Sequence, residues 1–141
     1  MATKNTNTAP ENDFTREDFK AEVIYSSKEL TAKERIQIKD TSDCIGIDEE
    51  SQTGTVQIEV DYFAAIKVHN EHAENKDYTK YVIKDKSGVS YATSSTSFWR
   101  AFKDIYDELK AENLENEMVV KVIRKPSKNY KGKDFMSCVL V

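Results

Sequence analysis

Val56-Gln57-Ile58-Glu59-Val60-Asp61-Tyr62-Phe63-Ala64-Ala65-Ile66-Lys67-Val68 is the stretch that decides the fold. Val56, Ile58, Val60, Tyr62, Ala64, Ile66 and Val68 occupy every second position. Successive strand residues point to opposite faces, so this spacing predicts one long strand with a continuous apolar face. A strand of that length suits a strongly curved sheet, such as a small barrel. Upstream, Ile36 and Ile38 alternate with charges, and Ile45 and Ile47 do so again after Thr41-Ser42-Asp43. That pattern predicts a first strand broken by a bend or bulge, with Ser51-Gln52-Thr53-Gly54 as the turn into the second.

Downstream, Tyr78-Thr79-Lys80-Tyr81-Val82-Ile83-Lys84 and Val89-Ser90-Tyr91-Ala92-Thr93 flank Asp85-Lys86-Ser87-Gly88. β-Branched and aromatic residues around an Asp-and-Gly turn predict a hairpin. The period then changes. Phe98, Phe102, Ile105 and Leu109 fall at i, i+4, i+7 and i+11 behind the capping hydroxyls of Ser95, Thr96 and Ser97. This predicts one amphipathic helix ending near Asn113, with Trp99 packing between helix and sheet. Met118 to Lys125 and Phe135 to Val141 read as two closing strands, the first ended by Pro126. The order is strand, strand, a hairpin-like third strand, helix, strand, strand. A mostly β OB-fold, a five-stranded Greek-key barrel with one helix between strands 3 and 4, fits that order. Residues 1–13 carry no apolar periodicity and read as a flexible N-terminal arm. Residues 14–141 read as a single domain, its start anchored by Phe14 and Phe19.

The 141 residues suit one domain of ordinary size. A formal net charge of −4 argues against a protein that grips nucleic acid with its whole surface. Cys44 and Cys138 stand far apart, so neither a disulfide scaffold nor a structural zinc site is expected. The first thirteen residues contain no apolar run and are not expected to be a signal peptide. No stretch approaches the ~20 apolar residues of a membrane span, so a cytoplasmic protein without membrane partners is expected.

Charge is unevenly distributed. Residues 40–61 hold seven carboxylates and no Lys or Arg, a local charge of −7. Residues 121–134 hold Lys121, Arg124, Lys125, Lys128, Lys131 and Lys133 against Asp134 alone, a local charge of +5. Tyr130 sits inside this cationic run. A flat aromatic among cations is suited to stacking on a base while its neighbours neutralise phosphates. In the expected barrel this segment is the loop joining strands 4 and 5, one rim of the binding face.

Two segments also carry a resemblance. Tyr91-Ala92-Thr93-Ser94-Ser95-Thr96-Ser97-Phe98-Trp99 and Lys125-Pro126-Ser127-Lys128-Asn129-Tyr130-Lys131-Gly132-Lys133-Asp134-Phe135 resemble OB-fold single-stranded DNA-binding proteins of Gram-positive phages and conjugative plasmids. The resemblance runs from about residue 30 to the C-terminus. It implies binding of single-stranded DNA, with several subunits along one strand. Two departures are visible. Housekeeping single-strand binding proteins end in a flexible tail with an acidic tip, whereas this sequence ends within an expected strand. Asp48-Glu49-Glu50 also places an acidic rim where a DNA binder would more naturally carry Lys.

The expected phosphate partners are Lys125, Lys128, Lys131 and Lys133, with Arg124 able to bond bidentately or stack. Lys80 and Lys84, on one face of the third strand, would extend the track. Tyr130 is the first stacking candidate, followed by Tyr62, Tyr81 and Tyr91, each of which reads equally as a core residue; the phase of Tyr62 with Val60 and Ile66 tilts it towards core. Self-association along DNA, through the arm or through rims of opposite charge, is expected. The alternative is an acidic OB-like interaction module, an adaptor or inhibitor whose −7 segment meets a basic partner. Enzyme chemistry is not expected. His69 and His72 read as solvated loop residues, no glycine pattern builds a phosphate cradle, and no cofactor or metal is called for.

Overall fold

The computed structural model describes residues 18–141. Phe14 and the arm expected over residues 1–13 lie outside the described residues. The elements in order are β1 (Phe19–Ser26), α1 (Ala32–Lys39), β2 (Ile45–Gly46), α2 (Ile47–Thr53), β3 (Gln57–Asn70), β4 (Asp77–Asp85), β5 (Ser90–Thr93), α3 (Thr96–Ala111), a 3-10 turn (Glu115–Glu117), β6 (Val119–Pro126) and β7 (Asp134–Leu140).

The strand expected from the alternating stretch is β3, and the sheet is arranged around it. On one edge it pairs antiparallel with β4, from Val60↔Asp85 to His69↔Asp77. Its other edge is shared. Gln57 to Glu59 pair with β6, and Ala64 to Asn70 pair with β1. β5 extends the sheet beyond β4, β7 extends it beyond β6, and β2 adds two residues parallel to β5. The product is mostly β: a curled, open sheet forming a half-barrel, in the order β2-β5-β4-β3-β6-β7 with β1 beside β3. Among the described residues no helix is long and apolar enough to cross a membrane.

The apolar face of β3 is not continuous. Between Val60 and Tyr62 the register with β4 slips, so Asp61 is an inserted bulge residue. A one-residue slip exchanges the two faces of a strand. Val56, Ile58, Val60 and Phe63 therefore belong to one core, with Phe98, Phe102 and Tyr106 of α3 and Met118, Val120 and Val122 of the β6 arm. Tyr62, Ala64, Ile66 and Val68 belong to a second core on the opposite face, beneath Leu30 and Ile38. β1 makes the same exchange: its register with β3 shifts between Val23 and Tyr25. Ala21 and Val23 join the second core, while Tyr25 meets Phe63 and Trp99 on the α3 side.

The first expected strand is corrected. Residues 32–39 are helical because Thr31 and Glu34 form a capping box, each side chain accepting from the other's backbone N–H. The period-two spacing of Ile36 and Ile38 is incidental: Ile38 is buried and Ile36 is 67% exposed. The expected turn at Ser51 to Gly54 is the end of α2, whose first turn carries Asp48, Glu49 and Glu50 against the positive end of the helix dipole. β1 was not expected; only its Phe19 was read as an anchor. The hairpin, the helix and the two closing strands lie close to their expected positions. Ser95 caps α3, its Oγ accepting from the Phe98 N–H at 3.2 Å.

Phe63, just past the bulge, is where β3 packs most closely on α3. It is fully buried and stands edge-on to Trp99, Phe102 and Tyr106, with ring centroids 5.5, 4.8 and 4.8 Å away. Phe63→Ala should cost about 3–5 kcal/mol in urea unfolding, the range for removing a buried aromatic. A loss below about 1 kcal/mol would contradict this packing.

Candidate nucleic-acid interface

The cationic residues expected to bind phosphate collect at the tip of the β6–β7 hairpin. Strand pairing runs to Lys125↔Phe135 and Pro126↔Asp134, and residues 127–133 form the loop. Pro126 lacks the N–H needed to prolong the ladder. The loop holds itself through the Ser127 N–H donating to the Lys133 carbonyl at 2.9 Å and the Lys133 N–H to the Tyr130 carbonyl at 3.1 Å. Gly132 takes φ +81°, a left-handed conformation that favours glycine. Arg124, Lys125, Lys131 and Lys133, with Asp134 among them, line an open hollow of about 760 Å³ on this hairpin. Tyr130 stands 68% exposed beside it. Among the described residues, no ion pair engages Lys125, Lys128, Lys131 or Lys133.

Arg124 is placed differently. Side chains alternate along β6, so Arg124 points to the side opposite Lys121 and Lys125. Its guanidinium donates to the Asp48 carbonyl at 2.9 Å, to Ser51 Oγ at 3.1 and 3.3 Å, and to Asp134 Oδ1 at 3.2 Å. Asp48 Oδ1 in turn accepts from Thr93 Oγ1 of β5 at 2.6 Å. α2 thus bridges β5 and β6, and Arg124 fastens it. Of the acidic rim noted in the sequence, Asp48 is tied to β5 and β6, while Glu49 and Glu50 are exposed.

The β4–β5 candidates are divided between two faces. Tyr81 and Tyr91 lie on the α3 side. Tyr81 is 8% exposed and stacks on Trp99 at 4.4 Å and 6°, so one face of its ring is already occupied. Tyr91 is partly buried against the same core. Burial pushes both phenols above the ordinary value. Tyr62 is core, as expected, but in the second core and not the one that holds Val60. Lys80 and Lys84 lie on the other face, where their charges oppose the rise that burial causes in the Cys44 thiol. Lys84 also lines a hollow with Asp40 and Asp43, and its Nζ donates to Ser90 Oγ at 3.3 Å. The register sets these two lysines opposite Ile66 and Tyr62, whereas Lys121 pairs with Gln57 and Lys125 lies further on still. The structure does not bring Lys80 and Lys84 to the hairpin tip.

The remaining reactive candidates have local partners. His69 lies at the end of β3, not in a loop. Its ring nitrogens meet Asp77 at 2.8 Å and Glu71 at 2.6 Å, while His72 meets Asp18 at 2.9 Å. Burial pushes the Cys138 thiol up to about 12, which keeps it protonated and unreactive at neutral pH. The sequence reading passed over Phe135, which pairs across from Lys125 and is 40% exposed. Its signal was present: an apolar residue at the first turn of a strand, next to a cationic loop.

Arg124→Ala should lower stability by about 2 kcal/mol, the scale of lost hydrogen bonds to a charged group, while Lys125→Ala should leave it unchanged. Equal effects in thermal unfolding would contradict the separation of the two. Hydrogen bonds to Asp77 and then Glu71 raise the His69 pKa above 6.5. The stability His69 contributes is therefore complete below about pH 6.5 and fades as pH rises through its raised folded value. Melting temperatures across that window should fall for the native chain and stay flatter for His69→Gln; identical profiles would contradict the assignment.

No family model matches the chain, and no curated protein or solved structure matches it significantly.

Proposed function

We propose that this chain is an OB-fold protein that binds single-stranded DNA with little sequence preference, in replication or conjugative transfer of a mobile element. The observation that carries the proposal is the hairpin tip, where Lys125, Lys128, Lys131 and Lys133 surround an exposed Tyr130 without carboxylate partners among the described residues. Cations on a backbone-tracking surface supply affinity, and an aromatic face accepts any base, which removes the need for sequence. Strand order supports the fold half of the reading. β3, β4, β5, β6 and β7 serve as the five strands, adjacent in the order β5-β4-β3-β6-β7, with α3 between the third and fourth. In that assignment residues 127–133 are the loop between strands 4 and 5, a rim of the binding face. Self-association along the bound strand belongs to the same proposal.

The acidic-module alternative has weaker support. Part of the acidic stretch is committed within the chain, Asp48 to Thr93 and Asp40 to Ser42.

A fluorescent oligo(dT) titration at two salt concentrations tests the proposal. Binding should weaken steeply with salt, with a log–log slope of about −0.7 per phosphate contacted. Lys128→Glu with Lys131→Glu should weaken binding to every sequence alike. Absence of binding at low salt, or affinity indifferent to salt, would refute it.

A further inference from the structure

In an OB barrel the face of strands 2 and 3 is where a bound strand lies. Here that is the outer face of β4 and β5, and the chain itself occupies it. Val82 and Ala92 of these strands, together with Tyr62, Ala64, Ile66 and Val68 of β3, are buried beneath Leu30 and Ile38. Cys44 and Tyr78 pack around the same cluster. The ends of this cover are fastened as well. The Ser27 N–H donates to the Phe63 carbonyl at 2.9 Å, Ser27 Oγ accepts from the Phe63 N–H at 3.0 Å, and Ile45↔Tyr91 pairing ties β2 to β5. Bases cannot stack on apolar side chains that another segment already covers.

A different face is open. Along β6 and β7, Val120, Val122, Met136 and Cys138 point into the α3 core. Alternation puts Lys121, Ile123 and Lys125 on the reverse side, opposite Val139, Ser137 and Phe135 respectively. Phe135 and Val139 are each 40% exposed there, and each faces a lysine across the strand pair. Exposed apolar surface thus stands beside a lysine at each end of the face, with Ser137 buried and Ile123 half-buried between them, and the Phe135 end adjoins the Tyr130 loop.

We infer that single-stranded DNA runs along this reverse face of the β6–β7 hairpin, with Phe135 as a second stacking residue below Tyr130 and Lys121 and Lys125 beside the backbone. The inference rests on the single-strand reading above and moves its track away from β4 and β5. Single-stranded DNA is the occupant that fits, because the face sets the exposed Phe135 ring and Val139 beside Lys125 and Lys121, which engage no ion pair among the described residues. A second copy of the chain would bring the same positive charges together.

The test compares Phe135→Ala, Lys121→Glu and the pair Lys80→Glu with Lys84→Glu in oligo(dT) titrations. Phe135→Ala should weaken binding about tenfold, within the range for one lost base stack. Lys121→Glu should weaken it at low salt and reduce the log–log salt slope by about 0.7. The Lys80 and Lys84 pair should change affinity by less than about twofold, as expected for charges away from the track. Photo-cross-linking of the unaltered chain to an iododeoxyuridine-substituted oligonucleotide reads the same face without any variant. Cross-links should fall on Tyr130 and Phe135.

If the unaltered chain binds no oligonucleotide, the single-strand reading itself fails. If it binds, but the Lys80 and Lys84 pair abolishes binding while Phe135→Ala does not, only the track is overturned. Cross-links on Tyr78 or on residues 30–45 would overturn it equally. Loss of self-association in Phe135→Ala without DNA, with binding intact, would make the face an interface between copies and overturn the inference.

Discussion

The bulge at Asp61 is the constraint on which the rest of the structure depends. Without it β3 would present one apolar face, and the chain would need one core. With it, the first half of β3 faces α3 and the second half faces α1, so a single strand serves two cores. The bulge is held from the side. Asp85, opposite Val60, accepts from the Glu59 N–H at 2.9 Å and the Ser87 N–H at 2.8 Å, and the Lys86 N–H donates to the Glu59 carbonyl at 2.9 Å. Burial opposes ionisation of Asp85, but the hydrogen bonds from Ser87 and the Glu59 amide outweigh it and hold the carboxyl below its ordinary value.

Several features of the site follow from this division. Because β3 hands its edge from β6 to β1, the β6–β7 arm stands clear of β1 and carries its loop outwards. Because the second core is roofed by residues 30–44, the sheet face of β4 and β5 is closed. α2 fills the space between β5 and β6, and Arg124 and Thr93 hold it through Asp48. Among the described residues, Lys125, Lys128, Lys131 and Lys133 of the hairpin engage no ion pair, whereas Arg124 is held by α2 and Asp134.

The sequence was most legible where one period ran unopposed. α3, with apolar residues at helical spacing and a Ser95 cap, and the β4–β5 hairpin, with its Asp-and-Gly turn, were both readable. So was the cationic loop, since local charge needs no tertiary context. Ile36 to Ile47 misled because isoleucines two apart suit a strand, while the capping box at Thr31 and Glu34 acts on the backbone and favours a helix. The bulge at Asp61 marks the alternation only at Phe63, an apolar residue at the polar phase, and the small Ala64 and Ala65 that follow fit either phase. β1 was missed because five of its eight residues lie exposed and its Ile24 falls at the register shift, which breaks the alternation. Arg124 was grouped with Lys125 by adjacency, yet neighbours on a strand face opposite ways.

On the proposed function, this half-barrel takes a single strand of DNA on its β6–β7 hairpin. Amide chemical-shift mapping of the labelled chain with oligo(dT) tests it most directly, because it reads every strand at once. The account predicts shifts concentrated in residues 119–139, strongest from Lys125 to Phe135, with α1 and the outer face of β4 and β5 unmoved. Shifts centred on residues 30–46 or 78–84, or none on saturating addition of DNA, would contradict it.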